Sequence, residues 1–559
     1  MSLQQKVILI FSLLVGVFFQ SLPLIRSGLY SSLWGLGFWG PTGHDLIWHL
    51  TLINHINHPL IIPLPTFSGY NLVNYHPFYD ILISLLHRLT SIPISLWVFQ
   101  LFPLISSFIF LVLSFYLGQR YSGQFKGGII FLLLNTFSGS LGWLLTLIRF
   151  HRLGGESLFW SMQAASNQLN PPYLLSLIYF LILLLFYFYL ESRHYHCHVF
   201  GLLVLPLLII LTPVTKVYAI IPIFILSFLI LFQFFTRRYY FPLILSFLAL
   251  VISFLLFRIY CPQIKQNLIY RPFWFIDTMI DSPDRLYLPK FSAYRLHLQQ
   301  TNPYDYRLTV FYLIFFAIFI VGNFGFRLLG LFTLKDCQTQ LNRTLFFISI
   351  ILVAFPTLFV QSHTNWNTIQ FLYYALFIFN LFLCRFLSKS SIFWLILITI
   401  SFIFANYDGY VGYLGSPPPA NLPLTEIKAL RFFSQLPPGI VLTYPYDNGF
   451  KEKATKTPLP LYIYETTSYL SAYTPHLTYL ADEMNSANLG LDVTKRRQKL
   501  LNFFSGSDIF ASRGFLLDNE IKYIYLTGYQ RQQAHLDLSY LSLVSVYDDG
   551  QTIIYRVNR

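Results

Sequence analysis

Residues 173–190 read Tyr173-Leu-Leu-Ser-Leu-Ile-Tyr-Phe-Leu-Ile-Leu-Leu-Leu-Phe-Tyr-Phe-Tyr-Leu190, with one serine and no charged side chain. As a helix rising about 1.5 Å per residue, such a run nearly crosses a hydrocarbon core about 30 Å thick. A helix that is apolar on every face has no side to offer water, so lipid is its natural solvent. Comparable runs recur from Val7 to Ala405, and they place spans near 6–25, 94–117, 127–148, 173–190, 199–213, 217–235, 240–259, 308–327, 344–360, 368–385 and 391–406. The reading is an all-α polytopic membrane domain of about eleven transmembrane helices, the fold class that uncharged runs of this length impose.

Composition agrees with the spans. Of 559 residues 55% are hydrophobic, 19% aromatic and 11% charged, and the mean hydropathy is +0.56. A soluble domain carries about 25% charged residues. The net charge of +14 is spread over short inter-span loops and forms no continuous stripe, which argues against nucleic acid as a partner. With the N-terminus cytoplasmic, the inner loops hold Arg120, Lys126, Arg193, Arg237, Arg238, Arg327, Lys335, Arg343, Arg385 and Lys389, as the positive-inside rule requires. Lys6 ahead of Val7–Phe19 resembles a secretory signal, but no small-x-small cleavage site follows, so an uncleaved first helix is expected. The scattered Cys197, Cys261, Cys337 and Cys384 show neither metal spacing nor a basis for a structural disulfide.

The same orientation puts segments 26–93, 149–172, 260–307 and everything after about Tyr407 outside. The membrane domain runs over 1–410. A proline-rich linker at 411–423, with Gly415 to Pro423 at its centre, cannot continue a helix. Residues 424–559 then read as a small soluble α/β domain: a helix at Thr425–Leu436, a strand at Gly439–Tyr444, a basic amphipathic helix at Val493–Phe504 and a strand at Ile521–Thr527. Leu541–Tyr547 and Thr552–Val557 flank Asp549-Gly550 as a hairpin.

The first outer loop opens with Trp39-Gly-Pro-Thr-Gly-His-Asp-Leu-Ile-Trp-His-Leu50 and later carries Asn74-Tyr-His-Pro-Phe-Tyr-Asp80. Asp45, an acid just outside the first span of an acid-poor chain, is a functional candidate, with a plain helix cap at Leu46 as the alternative. Asp80 begins a second amphipathic helix and is read as a cap. His55 and His58, one turn apart, have transition-metal spacing, although no His-Glu-x-x-His or nearby cysteine supports a metal centre. Asp277, Asp281 and Asp284 fall four and three apart, one face of a helix, and are candidates for a second acid or a divalent-cation ligand. Gln361-Ser-His-Thr-Asn-Trp-Asn-Thr368 would open a helix whose free N–H groups suit an anion, which marks Trp366 and Asn367. Glu465, Asp482 and Glu483 in the tail read as surface acids.

The layout of a first span, a long outer loop opening with an acid on an amphipathic helix (His44-Asp45-Leu46-Ile47-Trp48-His49) and then Asn74-Tyr75-His76-Pro77 resembles the membrane glycosyltransferases of the GT-C fold. The resemblance implies a polyprenyl-phosphate sugar donor, a lipid, glycan or protein acceptor, and Asp45 as the acid at the active centre, with His44 and His49 beside it. Many members carry two adjacent acids, whereas His44 stands next to Asp45, so metal dependence through Asp45, Asp277 or Asp281 stays open. The donor phosphate needs cations, and Lys216, Lys265, Arg271 and His76 are the candidates on the outer side. Two other readings stand beside it: a transporter or lipid flippase, which would carry charges at mid-membrane depth, and a non-catalytic assembly protein, which would need no acid at all.

Overall fold

The computed structural model describes residues 1–193, 199–262, 268–335, 339–361, 367–506 and 508–558. The chain divides into two compact units. One comprises Met1–Leu22, Pro103–Arg258 and Gln266–Leu414, and the other Pro23–Phe102, Ile259–Lys265 and Gly415–Arg559.

Among the described residues nine helices are long and apolar enough to cross a membrane: Leu3–Ile25, Ile94–Ser122, Pro171–Ser192, Val217–Thr236, Tyr240–Tyr260, Tyr306–Leu334, Gln340–Leu358, Gln370–Lys389 and Ile392–Leu414. These are nine of the expected spans, and the other two depart from expectation for local reasons. The span read at 127–148 is two helices, Phe125–Phe137 and Gly142–Phe150, bent by 47°. The break falls on Ser138-Gly-Ser, whose residues are poor helix formers. The helix at Val199–Thr215 contains Pro206 and Pro213 and has 17 residues, at the lower end of the roughly 17–25 that a span uses.

Gln370–Lys389 is the most buried of these nine helices among the described residues, and Phe377 meets the rings of Phe110, Phe131 and Phe180 at 6.4, 5.6 and 5.8 Å. A Cβ on Gly118 would lie 2.8 Å from the Gly127 carbonyl oxygen, so glycine sets the close approach of the helices on either side of the 122–125 turn. Arg327, expected as a loop charge, is instead buried in the 3₁₀ turn Gly325–Leu334. Its guanidinium donates to Asn380 Oδ1 (2.8 Å), Gln163 Oε1 (2.8 Å), Ser138 Oγ (2.7 Å) and the carbonyls of Gly139 and Asn323 (3.2 and 3.0 Å). A buried guanidinium persists only when its donors are so engaged.

The second unit is mixed α/β, built jointly by the first loop and the tail. Strand Gly35–Phe38 pairs antiparallel with Ala420–Leu422, matching Leu36 to Leu422 and Phe38 to Ala420, within a four-stranded sheet that Tyr30–Ser31 and Leu459–Pro460 complete. Gly35 has φ +82°, and a side chain there would collide with the Leu422 carbonyl oxygen. A five-stranded sheet runs Leu543–Asp548, Thr552–Val557, Ile521–Thr527, Ile440–Leu442, Leu477–Thr478, with the expected hairpin turning at Asp549-Gly550. Trp48, Leu52, Ile62 and Phe67 of the loop share one hydrophobic core with Leu500, Phe503, Ile524 and Leu526 of the tail.

Candidate functional site

Asp45 is the first residue of the helix Asp45–His55, so it is not the cap that precedes the helix. The turn Gly40–Gly43 leads into it and is held by Thr42, whose hydroxyl accepts from the Trp39 N–H (3.1 Å) and meets Ser27 Oγ at 2.7 Å. This fixes His44, a buried side chain with both ring nitrogens engaged. Nδ1 lies 2.8 Å from Asp45 Oδ1 and Nε2 lies 3.1 Å from Asp482 Oδ1. Carboxylates only accept, so both nitrogens donate and the ring is the imidazolium. Burial by itself would lower the His44 pKa, but the charges and hydrogen bonds of Asp482 and Asp45 outweigh it and hold the group well above 6.5.

The two carboxylates differ sharply. The Asp45 side chain is 51% exposed, whereas that of Asp482 is fully buried. Asp482 adopts the left-handed conformation (φ 45°, ψ 63°), caps the helix Glu483–Asn488 and accepts from Asn485 N (3.1 Å) and Asn485 Nδ2 (3.0 Å). A non-glycine residue in that region carries strain and persists where its surroundings fix it. Arg497 holds the neighbouring Glu483 by an ion pair. Asp482 and Glu483 are therefore not the surface acids the sequence suggested. Nothing in their local pattern distinguishes them from surface acids, because the partner of Asp482 comes from the far end of the chain.

His49 follows Asp45 by four residues and so shares its helix face. Its Nδ1 lies 2.7 Å from Asp80 Oδ1, and its ring packs edge-on against Tyr79 at 5.0 Å. Asp80 is thus no cap: it is buried inside the helix Phe78–Thr90, and burial raises its pKa against the opposing pull of His49. His76 stacks on Tyr75 at 4.9 Å. His55 is buried with Nδ1 on the Thr51 carbonyl (3.0 Å), while His58 is exposed and accepts from Leu60 N, so the two do not converge on a metal.

The remaining candidates belong to the helical unit or lie outside the described residues. Lys216 is buried between the helices Val199–Thr215 and Ile220–Thr236, with Nζ 3.3 Å from Asn170 Oδ1 and 5.2 Å from the Tyr218 ring centroid. It does not reach outward from the protein. Arg271 pairs with Asp277 at 3.4 Å, and Asn367 Oδ1 accepts from Gln370 Nε2 at 3.3 Å. Asp277 and Asp281, read as cation ligands, instead embrace Arg295 at 2.8 Å each, and Tyr312 donates to Asp277 at 2.8 Å. A guanidinium between two carboxylates occupies the position a divalent ion would take. Lys265 and Trp366 lie outside the described residues. No group of three His, Cys, Asp or Glu side chains gathers for a metal among the described residues, and both nitrogens of His44 are taken, so no ligand set for a divalent cation is assigned.

No protein-family model and no curated protein matches the chain. Among solved structures, the chain is similar over its full length to the archaeal oligosaccharyltransferase AglB from Archaeoglobus fulgidus, in complex with an inhibitory peptide and a dolichol-phosphate. That match has TM-score 0.48 and 12% identity, and covers 74% of the AglB chain. The apo form of the Archaeoglobus enzyme matches with TM-score 0.46 at 12% identity, over 99% of this chain and 74% of that one. The arabinofuranosyltransferase AftD from Mycobacteria matches with TM-score 0.49 at 13% identity, over all of this chain and 40% of AftD. A helical polytopic membrane region followed by a mixed α/β region is the architecture the spans and sheets give on their own.

Proposed function

We propose that the protein is a membrane glycosyltransferase that moves a sugar from a polyprenyl-phosphate donor to a lipid, glycan or protein acceptor on the extracytoplasmic face. The observation that carries this reading is the half-exposed Asp45 carboxylate, held at one oxygen by a buried imidazolium that is itself anchored on Asp482. His44 fixes the carboxylate so that its second oxygen stays available to an acceptor. As the acceptor oxygen bonds to the anomeric carbon, its O–H becomes acidic and Asp45 takes the proton. The bond from that carbon to the phosphate oxygen breaks, and the electron pair leaves with the polyprenyl phosphate. Attack from the face opposite the leaving group inverts the anomeric centre. The growing charge on the leaving phosphate calls for a fixed positive group to stabilise it. His49, braced by Asp80 on the same helix face as Asp45, is proposed to stand beside the acceptor.

The test is transfer of labelled sugar from a panel of polyprenyl-phosphate donors by the purified protein in lipid, with and without a chelator. Asp45→Asn keeps the hydrogen-bonding shape and removes the base, and should lower turnover about 100- to 10,000-fold with folding intact. If the wild type consumes no donor across a broad acceptor panel, or Asp45→Asn turns over normally, the reading fails.

A further inference from the structure

The aromatic residues of the second unit fall into two sets. Tyr469, Tyr523 and Tyr525 are buried in its core. Tyr446, Phe450, Tyr464 and Tyr529 are only half-buried, and they carry charged and polar groups at their rims. Phe450 stacks on Tyr529 with ring centroids 3.7 Å apart, and the Tyr446 hydroxyl donates to Asn448 Oδ1 at 3.3 Å. Lys451 Nζ sits 5.4 Å from the Tyr464 ring centroid and pairs with Glu465 at 3.3 Å.

One member of this set, Tyr464, adjoins the turn that precedes Asp45. The Tyr464 hydroxyl donates to the Gly40 carbonyl at 3.1 Å, its ring edge is 3.5 Å from where a Cβ on Gly43 would lie, and Thr467 Oγ1 reaches the Gly43 carbonyl at 3.4 Å. Tyr464 therefore packs on the turn that delivers Asp45. Its phenol is pushed up by burial first, then by the carboxylates of Glu465 and Asp45, so it senses the charge of both.

We propose that Tyr446, Phe450, Tyr464 and Tyr529, with Lys451 and Glu465 at their edge, bind the sugar rings of a glycan acceptor and present one hydroxyl to Asp45. This rests on the transferase reading and selects among its three acceptor classes. A pyranose has one face of C–H bonds, which packs on an aromatic ring, and a rim of hydroxyls, which needs donors and acceptors at the edge of that ring; this surface supplies both. A lipid acceptor would call for an unbroken aliphatic groove, whereas these residues are aromatic and Lys451 and Glu465 stand at their edge. A peptide docking by strand addition would need a free row of N–H and C=O groups. The nearby sheet edge is Leu459–Pro460, where proline removes a donor.

The experiment measures quenching of tyrosine fluorescence by neutral oligosaccharides with no donor present, followed by labelled-sugar transfer to oligosaccharide, peptide and lipid acceptors. Tyr446→Ala and Tyr464→Ala should each weaken oligosaccharide binding about tenfold, as loss of one ring contact does. Tyr446→Phe and Tyr464→Phe, which keep the ring, should bind within a few-fold of wild type and report that folding is preserved. Absence of oligosaccharide binding, or equal binding by the alanine variants, overturns the proposal. Transfer to peptide or lipid that ignores both tyrosines also overturns it and leaves the transferase reading standing. Ring-dependent oligosaccharide binding without consumption of any donor keeps the sugar surface and removes the transferase reading.

Discussion

Asp45, His44 and Asp482 work as a line of alternating charge in which the ends have opposite exposure. The buried end sets the protonation of the middle, and the middle sets the geometry of the exposed end. His44 is held well above 6.5 mainly because Asp482 and Asp45 offset the penalty of its burial. Replacing Asp482 by Asn removes one of those charges and leaves a side chain of the same shape, so the His44 pKa must fall. Activity that depends on imidazolium holding Asp45 is lost as pH rises through the His44 pKa. The alkaline limb of the pH–rate profile should therefore move to lower pH in Asp482→Asn, while turnover at pH 5.5 stays closer to wild type. A profile with an unmoved alkaline limb would mean that His44 plays no part. As a candidate, Asp45 was visible in the sequence, because an acid after the first span of an acid-poor chain asks for a reason. Asp482 was not, since its role exists only once residues far apart in sequence meet, and Asp80 was misread because its position near a helix start fits a cap as well as a buried partner for His49.

At the scale of elements, long apolar runs translate directly into helices, since lipid leaves the backbone no other way to satisfy its hydrogen bonds. That is why nine spans fall where the sequence places them, and why the departures fall on Ser138-Gly-Ser and on the proline-bearing 199–215 segment. The hairpin at Asp549-Gly550 was equally readable, its turn chemistry being local. The pairing of Gly35–Phe38 with Ala420–Leu422 was invisible, because short strands carry little pattern and their register depends on a remote partner. That pairing makes a sharp prediction. Gly35→Ala places a methyl group on a residue at φ +82° and against the Leu422 carbonyl oxygen. The backbone strain alone costs about 1–3 kcal/mol, and the collision adds to it. The melting temperature should drop, and limited proteolysis should open the Gly415–Pro423 segment first. Unchanged melting and protection would show that this strand pair contributes nothing to holding the first loop and the tail in one sheet.

At the scale of the whole molecule, the unit that carries the candidate site holds a buried acid whose contribution to stability falls as pH rises. Glu426 is buried, accepts hydrogen bonds from Tyr469 and Tyr525, and has an Oε2 with no partner among the described residues. Burial raises its pKa to about 7, against the lowering effect of the two phenols. Between the unfolded value near 4.5 and about 7, the folded state binds more protons than the unfolded one, so stability declines as pH rises through that window. The total is about 3 kcal/mol, taken as 1.36 kcal/mol per pKa unit. His44, raised, adds stability below 6.5 that is lost as pH climbs through its folded value. His55 and His476 act the other way: burial lowers both, so stability falls as pH drops below 6.5. Glu426 and His44 thus contribute stability in acid that is lost as pH rises, while His55 and His476 contribute in the opposite sense, and a Glu426 variant isolates its own share. Glu426→Gln keeps the shape of the neutral acid and cannot ionise. Thermal unfolding of the full-length protein between pH 5 and 8 should therefore show a gain for the variant over wild type that grows as pH rises. A variant that tracks the wild-type slope at every pH would mean that Glu426 ionises in the folded protein as easily as in water, and that its burial is less complete than the packing around Tyr469 and Tyr525 requires.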